Sequence, residues 1–185
     1  MLKMDFLGLK TLSIIRDALV IIKRNHGADI DIEKIPLDDE KTFHLFQKGE
    51  TAGTFQFESD HMRSYLKDLK PTDFEDLIAM NALYRPGPMD YIPEFIERKH
   101  GKKKIEYPHE WMEEILKNTY GIMVYQEQIM QTAQVMAGYS LGAADVLRRA
   151  MGKKKPEVMQ QQKNIFIEGA KKKGVDEKVA DEIFH

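Results

Sequence analysis

The constraint that most limits this chain is a run of helix start and stop signals that leaves little room for anything else. Apolar residues recur at helical spacing over most of the sequence, and the breaks fall at glycine, proline or capping residues. Thr11 to Asn25 carries Ile14, Ile15, Ala18, Leu19 and Ile22 on one face and stops before Gly27. Asp38 and Asp39 open a short helix with Phe43 and Phe46 inward and Gly49 closing it. Ser59 caps a helix through Leu69, ended by Pro71, and Thr72-Asp73-Phe74-Glu75 reads as a capping box for a helix reaching Tyr84. The rigid bend Arg85-Pro86-Gly87-Pro88 follows. Further helices are predicted over 91–99, 108–118, 126–137, 140–151 and 156–173, and Asp176 is an N-cap for a last one. Two short alternating runs, Leu2 to Leu7 and Thr54 to Phe57, read as strands. The expected class is mainly α, a multi-helix domain with a short N-terminal strand and one or two minor strands. A strand without sheet partners and a helix interrupted at His185 are expected of a segment excised from a larger protein.

The 185 residues are 42% hydrophobic and 31% charged, the balance of a globular domain that needs no staples to hold its core. Absence of cysteine excludes a disulfide framework, thiolate metal ligands and a cysteine nucleophile, and it fits a reducing compartment. No run approaches the ~20 apolar residues of a membrane span. Met1 to Lys10 lacks the pattern of a signal peptide. The cytoplasm is the expected location and no membrane partner is expected. Net charge is −2, yet it is unevenly spread. Asp29 to Asp60 holds nine acids against three bases, and Val146 to Gly174 holds nine bases against two acids. Such asymmetry suits a polyanion at the basic end, or else a solvated, lysine-rich helix face.

Three places could carry chemistry. Lys3 and Asp5, two apart on the apparent strand, project to one side, where a carboxylate and an ammonium can hold a divalent cation and a phosphate together. In 140–151 the residues Ala143, Val146, Leu147, Ala150 and Met151 form one stripe, with Asp145, Arg148 and Arg149 opposite. The aspartate can pair with both arginines at i+3 and i+4 as a surface feature, or it can orient two guanidiniums for a triphosphate. The segment Tyr120-Gly121-Ile122 with Tyr125-Gln126-Glu127-Gln128 can stack on and hydrogen-bond to bases, or serve as an anchored helix N-terminus. The six histidines show no ligand spacing, no glycine-rich phosphate loop is present, and nothing argues for hydrolysis.

Taken in order, several blocks resemble one family. They are Lys3-Met4-Asp5-Phe6-Leu7-Gly8-Leu9-Lys10-Thr11-Leu12, Ile35-Pro36-Leu37-Asp38-Asp39, Thr54-Phe55-Gln56-Phe57-Glu58-Ser59, Leu83-Tyr84-Arg85-Pro86-Gly87-Pro88, Arg98-Lys99-His100-Gly101 and Tyr120 to Gln128. Gly138-Tyr139-Ser140-Leu141-Gly142 and Leu147-Arg148-Arg149-Ala150-Met151-Gly152-Lys153-Lys154-Lys155 complete the series. Collinear over essentially the whole chain, they resemble the alpha subunit of bacterial DNA polymerase III (family C), and Leu9 to Leu12 favours the branch without its own exonuclease.

The resemblance implies that residues 1–9 end a palm domain and 10–185 form a fingers domain. It further implies template-dependent nucleotidyl transfer to a primer 3′-hydroxyl through two Mg2+ ions. Asp5 matches one of three metal-binding aspartates, and Lys3 matches a palm lysine near the phosphates. Arg148 and Arg149 match residues that contact the incoming dNTP. Arg63, Arg85, Lys153, Lys154 and Lys155 are implied DNA contacts, although the family often has lysine where Arg63 stands. The implied partners are primer–template DNA, dNTP and other replicase subunits: sliding clamp, proofreading exonuclease and clamp loader. With one matched carboxylate, the isolated chain is expected to be inactive. The alternative is a helical module that binds nucleic acid or protein without catalysis, through its basic C-terminal third.

Overall fold

A computed structural model describes residues 3–153 and 156–184, excepting the side chain of Lys153, and among these the regular structure is helical throughout. The helices are α1 (Lys10–His26), α2 (Glu40–Gln47), α3 (Asp60–Leu69), α4 (Phe74–Leu83) and α5 (Ile92–Lys99). There follow α6 (Glu113–Leu116), α7 (Gln126–Ala137), α8 (Leu141–Lys153), α9 (Pro156–Lys172) and α10 (Glu177–Phe184). None of them is long and apolar enough to cross a membrane.

Caps explain most boundaries. The carboxylate of Asp39 accepts from the Thr42 amide at 2.8 Å, and Ser59 Oγ accepts from the Met62 amide at 3.3 Å. The box before α4 stands one residue later than the sequence suggests: Asp73 is the N-cap, and its partner is Asp76 rather than Glu75. Asp76 outcompetes Glu75 because its buried carboxylate also serves the amides of Thr72 and Asp73.

Two apolar clusters form the core of the described residues. The first gathers Phe43 and Phe46 of α2, Met62, Leu66 and Leu69 of α3, Leu77, Ala79, Met80 and Leu83 of α4, and Ile92 and Phe95 of α5. The second joins Met112 and Leu116 to Ala133 and Met136 of α7, Ala144 and Leu147 of α8, Phe166 and Ala170 of α9, and Ala180 of α10. Each fully buried Leu, Met or Phe is worth about 1.5–3 kcal/mol, so these clusters carry the fold. Residues 119–125 join the two: Tyr120 packs edge-on against Phe95 at 5.0 Å, and Gln128 draws the segment onto α7.

The structure corrects three expectations of secondary structure. Residues 3–9 have no regular secondary structure and form no strand, and Leu2 lies outside the described residues. Thr54 to Phe57 is a pair of turns, because Gly53 (φ 77°) and Gln56 (φ 67°) take left-handed conformations and the Thr51 hydroxyl donates to the Phe57 carbonyl at 2.5 Å. Residues 108–118 do not make one helix; α6 is a single turn between 3-10 turns at Glu110–Met112 and Lys117–Thr119. Helix α1 is present as expected, and it buries none of its apolar residues.

Candidate nucleic-acid and nucleotide interface

Helix α8 is aimed by its entry. Gly138 (φ 71°) ends α7 in the left-handed conformation that glycine adopts without strain, and Ser140 Oγ accepts from the Ala143 amide at 3.2 Å to start the next helix. Between them Tyr139 is buried, its hydroxyl donating to the Gln162 carbonyl of α9 at 3.2 Å, and burial pushes its pKa up to about 12. The inward stripe is Ala144, Leu147 and Ala150; Val146 and Met151 are exposed, so the apolar face is rotated from the one the periodicity gives. A face of small residues lets α8 lie close on its neighbours, and the large side chains at its flanks stay out.

Opposite that stripe, Asp145 clamps two guanidiniums as its spacing predicts. Its Oδ1 accepts from Arg148 Nε at 3.0 Å and Nη2 at 2.7 Å, and its Oδ2 pairs with Arg149 Nη2 at 2.9 Å. The Arg148 hydrogen bonds, aided by the charge of both arginines, hold the Asp145 carboxyl below the usual range against the opposing effect of desolvation. The clamp lies at the surface, with side-chain exposures of 36% for Asp145, 33% for Arg148 and 58% for Arg149. An ion pair so placed contributes little to folding. It does hold two planar five-donor groups side by side with donors to spare, the arrangement that grips phosphate oxygens.

Other sequence candidates separate. Lys3 Nζ and Asp5 Oδ1 are 3.7 Å apart, though on irregular chain rather than a strand and 85% and 82% exposed. Arg63 is committed to structure: its Nε donates to the Gly49 carbonyl at 2.7 Å, tying α3 to the end of α2, and its Nη1 lies 3.5 Å from Asp60. Arg85 is exposed on the bend after α4. Lys154 and Lys155 lie outside the described residues, as does the side chain of Lys153. In the 120–128 segment the anchoring role is the one observed for Gln128. Its buried amide accepts from the Val124 and Tyr125 backbone at 2.8 and 2.9 Å, and donates to the Ile115 carbonyl and Thr119 Oγ1.

Two features escaped the sequence reading. Asp76 and Lys99, 2% and 8% exposed, form an ion pair of 2.7 Å, which Thr72 and the Tyr120 hydroxyl complete. Burial, then the charge of Asp76, raises the pKa of Tyr120. Gln126 Oε1 accepts from Arg148 Nη1 at 3.1 Å. Both are contacts between residues more than 20 apart, for which local spacing carries no signal.

Fold and site together define an all-helical domain that presents a carboxylate-clamped arginine pair on the surface of a two-cluster core. Residues 11–174 match the family model of the bacterial DNA polymerase III alpha subunit finger domain, and the chain belongs to that family. It is 54% identical over 184 residues, 100% of this chain, to the DNA polymerase III subunit alpha of Staphylococcus aureus strain Mu50. The identity is also 54% over 184 residues to the subunit alpha of Borreliella burgdorferi strain B31. The chain spans 17% of the length of the first relative and 16% of the second.

Proposed function

We propose that this chain forms the nucleotide-facing fingers of a DNA-directed DNA polymerase and that Arg148 and Arg149 grip the triphosphate of the incoming dNTP. The supporting observation is the Asp145 clamp, which holds two adjacent guanidiniums in fixed register on an exposed face. A triphosphate oxygen accepting from such donors gains charge-assisted hydrogen bonds, and the transferred group is thereby set in line with its attacker.

Asp5 has the hard-oxygen donor that Mg2+ prefers, and its exposure leaves both oxygens accessible. Among the described residues no group of three or more potential ligands exists, so Asp5 would supply one ligand and the rest of the subunit the others. Mg2+ bound there would act as a Lewis acid on the primer hydroxyl and the phosphates. Lys3, beside Asp5, would offset phosphate charge at the same place. Arg85, Arg63 and the 153–155 lysines would follow the DNA backbone, Arg63 from the place where its Nε ties α3 to the Gly49 carbonyl.

The test is steady-state kinetics of the full-length subunit. Arg148→Ala or Arg149→Ala is expected to reduce kcat/KM by roughly ten- to a hundredfold, as loss of one charge-assisted contact worth about 1.5–3 kcal/mol requires. All four dNTPs should suffer alike, because phosphate contacts carry no base information. The melting temperature should stay near that of the parent. A large fall in melting temperature with unchanged nucleotide kinetics would make the clamp a structural ion pair and overturn the reading.

A further inference from the structure

The two arginines of the clamp are not held equally. Arg149 is fixed through one contact, to Asp145 Oδ2, whereas Arg148 is fixed at each of its three nitrogens. Asp145 takes Nε and Nη2, and Gln126, the first residue of α7, takes Nη1 at 3.1 Å from 22 positions away. A guanidinium only donates, so Gln126 must present its carbonyl oxygen to Arg148. One N–H remains on each of Nη1 and Nη2 for an oxyanion.

Gln126 stands on a rigid turn although its own side chain is exposed. Two residues on, the buried Gln128 ties the amides of Val124 and Tyr125 to Ile115 and Thr119, and the Thr119 hydroxyl lies 2.6 Å from the Ile122 carbonyl. The backbone carrying Gln126 is therefore set by the core and not by solvent. An exposed hydrogen bond of this kind contributes little to folding, but it removes rotamer freedom that a bound phosphate would otherwise have to remove.

We infer that Gln126 is a positioning residue for nucleotide binding, acting by holding Arg148 in its phosphate-ready orientation. The inference rests on the reading of Arg148 proposed above. Gln126 needs no contact with the substrate, and its effect passes through one side chain.

A double-mutant cycle in the full-length subunit tests this. Gln126→Ala should raise KM for all four dNTPs about three- to tenfold, less than loss of a direct phosphate contact because Arg148 itself remains, with kcat and melting temperature close to the parent values. Inhibition by tripolyphosphate, which lacks base and sugar, should weaken by the same factor. Added to Arg148→Ala, the Gln126→Ala change should have no further effect. An unchanged KM in Gln126→Ala beside an impaired Arg148→Ala would overturn the inference and leave the proposed function standing. So would effects that multiply in the double variant, since Gln126 would then act independently of Arg148. Wild-type kinetics in Arg148→Ala alone would instead remove the proposed function, and this inference with it.

Discussion

At the scale of single residues, the chain contains two kinds of ion pair with opposite consequences. The Asp76–Lys99 pair is buried, and removing one partner strands a charge in the core. Lys99→Met should therefore destabilise by about 3–5 kcal/mol in chemical denaturation, even though the amides of Thr72 and Asp73 and the Tyr120 hydroxyl remain on Asp76. A loss no larger than that of a surface lysine would show that Asp76 is stabilised by those donors alone. Lys3 and Asp5 are the contrary case, so exposed that their pairing holds nothing together. If Asp5 is a metal ligand, Asp5→Asn in the full-length subunit should abolish turnover while primer–template binding persists. Lost DNA affinity with residual turnover would place Asp5 outside the metal site.

Between helices, what matters is how closely backbones approach. Gly169 of α9 sits where an added Cβ would run into the carbonyl of Ala137 at the end of α7. Gly169→Ala should lower stability by about 1–3 kcal/mol despite alanine's better helix propensity, because the obstruction is backbone and cannot rotate away. A stabilised variant would mean that α9 can slide off α7 at little expense. That contact was not visible in the sequence, where Gly169 is merely an unfavourable helix residue. What was visible are the elements with local signals: Ser59 before α3, Asp39 before α2 and Gly138 after α7 all stand at the expected ends. The same holds for the i, i+3 and i+4 clamp on α8. Local rules failed where long-range contacts decide. Asp76 displaced Glu75 in the capping box because the fold buries it against Lys99. Thr54–Phe57 alternates like a strand but has no neighbouring strand to pair with, and turns around the buried Thr51 instead. The apolar stripe of α1 was legible as a pattern, but none of its residues is buried among the described residues. Isolated helices of this length are marginal in water, so that face is a natural one for the remainder of a longer subunit to cover.

Over the whole molecule, the basic C-terminal third is the part suited to a polyanion, and the structure sets how many of its charges are available. Of the nine bases from Arg148 to Lys173, Arg148 and Arg149 are paired with Asp145 but keep donors to spare, and three lysines are engaged elsewhere in the fold. Lys163 pairs with Asp181 at 2.6 Å and Lys171 with Glu177 at 2.7 Å. Lys173 donates to the Val135 carbonyl at the end of α7 and lies 5.8 Å from the Trp111 ring centroid, a place the helix dipole also favours for a cation. Six bases remain. Binding to duplex DNA without regard to sequence is expected, in the non-specific range of about 10⁻⁴–10⁻⁶ M. Each neutralised phosphate contributes about −0.9 to the slope of log K against log salt, so six contacts limit the slope to about −5. A titration of fluorescent duplex DNA at a series of salt concentrations reads this directly. A slope near −8 would mean that Lys163, Lys171 and Lys173 also leave their internal partners for phosphate, and α9 and α10 would then have to rearrange on binding, since Lys163 and Lys171 join them. A slope near zero would remove phosphate contact as the source of affinity, leaving the lysines of α9 as a solvated face.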